Sequence, residues 1–194
     1  MVREEKAKRE AADLPAGPVY LFPTLQFPLC DVLEDEKCFL ALLKTLQEEG
    51  LSKLRLATGY LNLMKPVERA LDSPKIPTEV LMSSPKANSF YQAGRVKSKI
   101  PAMYRVNAIR MLNRNKARNL KLFEYTNNAW TYHAKGAWVY EDEADPYPQM
   151  SIIGSSNFSY RSNRRDQEVQ LYMAPSAKAV EFKRRLHNEA NGLF

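Results

Sequence analysis

His133 and Lys135 are the two residues of this chain whose types and spacing point most directly to chemistry. In an extended strand, side chains i and i+2 leave the same face. A strand over residues 131–137 would therefore aim an imidazole and an ammonium into one site. The imidazole can attack phosphorus or carry a proton, and the ammonium can hold a phosphoryl oxygen. Further on, Gly154-Ser155-Ser156-Asn157 reads as a turn whose hydroxyl and amide donors could reach the same anion. Together these make half of a site for phosphodiester chemistry.

Those groups must be carried by a fold, and the composition bounds it. With 194 residues, 44% of them hydrophobic, the chain can bury one sizeable core. The net charge of +7 is local in origin. Between Lys86 and Lys121 there are ten Lys and Arg and no Asp or Glu, whereas the remainder carries 19 basic against 22 acidic residues. Such polarisation suits an anionic partner: phospholipid headgroups, nucleic acid or a phosphorylated substrate. Cys30 and Cys38 are too few for a disulfide framework and lack zinc-ligand spacing. No apolar run approaches the roughly 18 residues of a membrane span.

The pattern along the chain predicts an α/β fold, a mixed β-sheet flanked by helices. Residues 1–17 read as a charged lead-in, helical or disordered, and residues 18–194 as the domain. An edge strand is expected over 19–27, and a helix over 36–49 capped from Asp31 or Asp35 and ended by Gly50. A buried strand at 54–61 precedes a helix capped by Asn62, then a strand at 79–83, a loop at 84–100 and a basic helix at 102–117. Four short strands follow at 120–125, 130–134, 137–140 and 150–153; a strand at 169–173 and a helix at 176–188 close the chain. Tyr60 and Asn62 read as a core aromatic and a cap in preference to cleft residues, Trp130 and Trp138 as core, and His187 as a surface residue.

Four strings in order resemble the phospholipase D superfamily, and within it the mitochondrial phosphatidylglycerophosphate synthases. They are Ala57-Thr58-Gly59-Tyr60-Leu61-Asn62-Leu63, Ser84-Pro85-Lys86-Ala87-Asn88-Ser89-Phe90, Trp130-Thr131-Tyr132-His133-Ala134-Lys135-Gly136-Ala137-Trp138 and Ile153-Gly154-Ser155-Ser156-Asn157-Phe158-Ser159-Tyr160-Arg161-Ser162. The superfamily usually places an aspartate five positions after the lysine; here that position is Tyr140. Family members carry two His-x-Lys motifs in one chain, and only the second is present here.

The resemblance implies a phosphatidyl transfer from CDP-diacylglycerol to glycerol-3-phosphate through a phosphohistidine, with no cofactor and no metal. In that reading His133 is nucleophile or general acid, Lys135 and Asn157 hold phosphoryl oxygens, and Ser155 adds a donor. Glu168 would orient a histidine by accepting its Nδ1 hydrogen. Arg161, Arg164 and Arg165 would bind substrate phosphates, since Arg favours bidentate anion contacts. A second half, in cis or by dimerisation, must supply the other histidine. The family also implies a mitochondrial site at the inner membrane. Peripheral contact with anionic lipid is read from the basic helix itself, where Arg105, Arg110, Arg114 and Arg118 stand against Met103, Val106, Ile109 and Leu112, the pattern of an interfacial helix and equally of any surface helix. Two other readings stay open: a homodimeric phospholipase D-like nuclease, disfavoured by the synthase-like strings, and a half-domain that binds lipid or a partner without turnover.

Overall fold

The structure, a computed structural model, describes residues 18–50, 53–127 and 129–194. The lead-in expected over residues 1–17 lies outside the described residues. Strand β1 (Val19–Phe27) is followed by a single 3-10 turn (Pro28–Cys30) and the two-residue β2 (Val32–Leu33). Helix α1 (Glu34–Glu49) starts with three carboxylates that complement its N-terminal dipole. It buries Phe39, Leu43 and Leu46 at helical spacing and ends at Gly50, whose φ of 86° only glycine adopts without strain. Neither aspartate caps it: Leu33 holds the N-cap position, and Asp35 lies inside the first turn, buried.

The next segment is the parallel part. Strands β3 (Lys53–Thr58), β4 (Thr78–Ser83) and β5 (Leu120–Tyr125) run side by side in one direction. Helix α2 (Lys65–Leu71) connects the first pair. The short α3 (Gly94–Lys97) and the longer α4 (Ile100–Arg114) connect the second. The chain then folds back. β6 (Gly136–Tyr140) runs antiparallel to β3, β7 (Met150–Gly154) to β6, and β8 (Glu168–Pro175) to both β7 and β1. A one-turn helix α5 (Tyr160–Arg164) lies between β7 and β8, and α6 (Val180–Leu193) closes the chain.

The result is one eight-stranded sheet in the order β2-β1-β8-β7-β6-β3-β4-β5, mixed and flanked by helices as the sequence pattern predicts. Alternating side chains split the core into two layers. Leu54, Leu56, Val80, Val139 and Ile152 pack with Leu43 and Leu46 of α1 on one face. Trp138, Tyr140 and Met173 pack with Leu186 and Ala190 of α6 on the other.

Several expectations are corrected. The strand at 54–61 stops at Thr58, and Asn62 does not cap α2, which begins at Lys65 behind Met64. The loop at 84–100 contains α3. Residues 130–134 form no strand. After β5 the side chain of Asn127 accepts the N–H groups of Ala129 and Trp130, a local turn that competes with pairing. The Tyr132 N–H then donates to the Ala87 carbonyl at 2.8 Å, which draws the segment toward the loop after β4 instead of into the sheet. Trp130 is consequently 72% exposed, whereas Trp138 is core as expected.

Candidate active site

The sheet register brings the site together. Ala57 near the end of β3 is opposite Gly136 at the start of β6, and Gly136 is opposite Ile153 near the end of β7. The residues just beyond these ends therefore converge at one edge of the sheet. They line an open cavity of about 250 Å³. His133 and Lys135 enter from the segment before β6, and Ser155 and Asn157 from the turn after β7. Tyr60 and Asn62 come from the loop after β3, Phe90 from the loop after β4, Tyr104 from α4, and Ser159, Arg161 and Asp166 from α5 and its flanks.

His133 and Lys135 share the cavity without sharing a strand. The Lys135 ammonium donates to His133 Nε2 at 3.1 Å and to the His133 carbonyl oxygen at 3.0 Å. An ammonium has no acceptor capacity, so this contact requires Nε2 bare and the ring proton on Nδ1. Burial lowers the His133 pKa, and the Lys135 charge lowers it further, so the ring is held neutral. The Lys135 pKa is itself lowered by burial, with the Glu168 charge opposing. Tyr60 meets the imidazole edge-on, ring centroids 5.5 Å apart.

Asn157 stands across from the imidazole. A Cβ placed on Gly59 would lie 3.4 Å from His133 Cδ2 and 3.5 Å from Asn157 Oδ1, so no more than the sum of these separates the two. The Asn157 loop is held from several sides. Thr58 Oγ1 donates to the Asn157 carbonyl at 3.0 Å, and the Asn157 N–H donates to Ser162 Oγ at 3.1 Å. Phe158, with φ of 53°, turns the chain in the left-handed region, its N–H bonded to Ser156 Oγ. Asn157 Oδ1 is buried with no hydrogen-bond partner among the described residues. Gly154, the last residue of β7, lets the strand lie close against β8 just before this turn. A Cβ there would collide with the Val169 carbonyl oxygen and the Gln170 amide, and would sit 2.8 Å from Gln170 Cα.

The remaining expected residues divide. The Ser155 hydroxyl lines the cavity but also accepts the Val169 N–H at 3.1 Å. Glu168 is buried; among the described residues no hydrogen bond joins it to His133, and its nearby charge is felt by Lys135 and Arg161. Arg161 reaches the cavity, paired with Asp166 at 3.0 Å. Arg164 does not line it: its guanidinium is committed to Glu36 of α1, with Nη2 2.8 Å from Oε1. Arg165 is exposed and its side chain makes no ion pair among the described residues. His187 is held at α6 by Tyr140 and Asn191, outside the cavity. Among the described residues no group of three or more His, Cys, Asp or Glu is placed to hold a metal ion.

The cavity also contains Tyr60 and Asn62, for which the sequence reading preferred core and cap over the cleft, and Tyr104 and Asp166, to which it gave no role. One signal was available. Tyr60 and Asn62 directly follow the carboxyl end of a buried parallel strand, where open α/β sheets place their ligands.

Comparison with known proteins bears on what this geometry serves. Over its whole length the chain is 31% identical to the mitochondrial CDP-diacylglycerol–glycerol-3-phosphate 3-phosphatidyltransferases of Homo sapiens and Bos taurus. Over 84% of its length it is 30% identical to the Schizosaccharomyces pombe enzyme of that name. In structure it matches phosphatidylserine synthase of Haemophilus influenzae with a TM-score of 0.72, at 19% identity, over 92% of this chain and 39% of that one. It matches Nuc of Salmonella typhimurium, a phospholipase D family member, with a TM-score of 0.52 at 13% identity, over 90% and 95% of the two chains. The chain is a relative of these phosphatidyltransferases with a phospholipase D-like fold. It spans 35% of the human and bovine relatives and 33% of the yeast one. No known family profile matches it. The resemblance carried by four short strings thus extends over the whole chain.

Proposed function

We propose that this domain contributes one half of a phosphatidyltransferase site, moving a phosphatidyl group from CDP-diacylglycerol to glycerol-3-phosphate. The observation that carries the reading is the convergence of His133, Lys135 and Asn157 on one cavity, in a chain whose sequence relatives bear that activity in their names.

The roles follow from the geometry. His133, neutral and with Nε2 bare, is in the form that attacks phosphorus. As the P–N bond forms, the P–O bond to CMP breaks and CMP departs. A glycerol-3-phosphate hydroxyl then attacks, loses its proton to a base and displaces the imidazole, giving phosphatidylglycerophosphate. Lys135 and the Asn157 amide hold the phosphoryl oxygens as charge builds on them. Arg161 takes the phosphate of the acceptor or donor in exchange for Asp166. Glu168 acts on this site through Lys135, whose positive charge it supports.

The cavity has one imidazole, and the chain's other histidine faces Tyr140 and Asn191. One group cannot bond phosphorus and move the leaving or entering proton at once. A second half, in cis or in a partner copy, supplies that function. The same reading places the protein in mitochondria, at the inner membrane surface. This agrees with the mitochondrial names of the animal relatives; no described helix is long and apolar enough to cross a membrane.

The test is CMP release from CDP-diacylglycerol with glycerol-3-phosphate, run beside His133→Ala on protein of measured mass in solution. No turnover is expected from the monomer, and His133-dependent turnover once a second half is joined. Monomeric turnover would overturn the half-site argument, and turnover indifferent to His133→Ala would overturn the assignment of His133.

A further inference from the structure

Helix α4 is apolar on the wrong side. It packs Pro101, Ala108 and Met111 inward, so the opposite face should be polar in a surface helix. That face instead carries Met103, Val106 and Ile109 at successive i, i+3 positions, 64%, 44% and 51% exposed. Val96 on α3 adds another apolar side chain at 79%. Exposed apolar surface of this kind, rimmed by polar groups, marks an interaction site.

The rim is cationic. Arg95, Lys97, Lys99 and Arg110 are exposed and make no ion pair among the described residues, and the stretch from Lys86 to Lys121 has no carboxylate. Lys99, Met103, Val106 and Arg110 line one shallow groove. The helix also borders the active cavity. Tyr104 lines that cavity, and Asn107 donates to the Asn62 side chain at 3.4 Å.

We propose that this face of α4, with α3, docks the protein on a bilayer rich in anionic lipid. Met103, Val106 and Ile109 enter the boundary between headgroups and acyl chains, and Arg95, Lys97, Lys99 and Arg110 meet the headgroup phosphates. Charge complementarity selects this occupant: a second protein surface would have to be both apolar and strongly acidic. The proposal rests on the phosphatidyl-transfer reading for its purpose, since a helix bordering the cavity then sets the reactive phosphorus of a membrane-embedded donor at the height of His133. The docking itself does not require turnover.

The experiment is co-sedimentation of the chain with phosphatidylcholine vesicles, with and without phosphatidylglycerol, at low and high salt. Binding is expected only to the anionic vesicles, and to weaken with salt. Lys99→Gln and Arg110→Gln should each weaken it about fivefold. Val106→Asp should weaken it more than tenfold while leaving thermal unfolding unchanged, because Val106 is not in the core. Val106→Trp should add fluorescence that brominated lipid quenches. His133→Ala should bind as the unaltered chain does, so loss of transferase activity and loss of docking are separate results. Equal binding to neutral vesicles, indifference to Val106→Asp, or a Val106-dependent dimer in solution would each overturn the proposal.

Discussion

The ammonium of Lys135 lies 3.1 Å from Nε2 of His133, and the same nitrogen is anchored to the His133 carbonyl at 3.0 Å. One lysine therefore fixes the tautomer and orientation of the imidazole beside it, and its charge adds to burial in favouring the neutral ring. An arriving phosphoryl oxygen would exchange one acceptor for another at Nζ and leave Nε2 free to react.

Removing the lysine tests this directly. Lys135→Met should raise the His133 pKa, because a neighbouring positive charge opposes protonation of the ring. The shift should be incomplete, since burial, the larger cause, remains. Proton NMR titration resolves it in a chain with two histidines, with His187→Gln making the assignment. An unchanged or lowered pKa would contradict the arrangement. In the assembled two-half enzyme the same substitution should reduce turnover by roughly 10²- to 10³-fold, the usual loss for a donor to a developing oxyanion.

The pH profile has a definite sign. Attack requires neutral His133, and its pKa is held below the ordinary value of about 6.5. Activity governed by this ring should hold through neutral pH and fall only on acidification below that ordinary value. An acid limb centred above it, in the rate of CMP release, would assign the limb to another group or reverse the His133 role.

Gly154→Ala should lower stability by about 1–3 kcal/mol, as expected for forcing atoms into a filled site. Its Cβ collides with backbone of β8, which cannot rotate away as a side chain could. Urea unfolding of the purified chain measures this, and an unchanged midpoint would show that β7 and β8 separate at little cost.

Arg161 and Arg164, one and two positions from Ser162, should fail in opposite ways. Arg164→Ala strands the Glu36 carboxylate, itself mostly buried, and should cost on the order of 1–3 kcal/mol in stability. Its effect on substrate affinity should be small. Arg161→Ala touches a cavity residue with an exposed ion pair and should raise KM with little change in unfolding. Kinetics and unfolding on both variants separate the cases; a raised KM for Arg164→Ala with unchanged stability would return that residue to the site.

What the sequence made legible was mostly local. The mixed α/β sheet with flanking helices followed from alternation and helical spacing, and the His133–Lys135 pair was found although the strand invoked for it does not form. Their common aim comes from the Tyr132 N–H held by Ala87, a contact across 45 positions that no local rule contains. Arg164 illustrates the same limit. A run of arginines after a phosphate-type turn suggests an anion site, but the partner that claims Arg164 lies 128 positions earlier, on α1. Tyr60, from the loop after β3, and Tyr104, from α4, meet at the cavity with ring centroids 5.4 Å apart, a pairing across 44 positions.

The sheet has a working end and an idle end. His133, Lys135, Ser155 and Asn157 sit past the edge where β3 and β7 finish and β6 begins, whereas the acidic connection between β6 and β7 leaves from the other edge, tied there by Lys183 to Asp145 at 3.1 Å. Five strand residues, about 16 Å, separate the two. That connection is where the chain can tolerate a change in length, and where a dye or an affinity handle at the exposed Glu143 would report on the molecule without entering its chemistry.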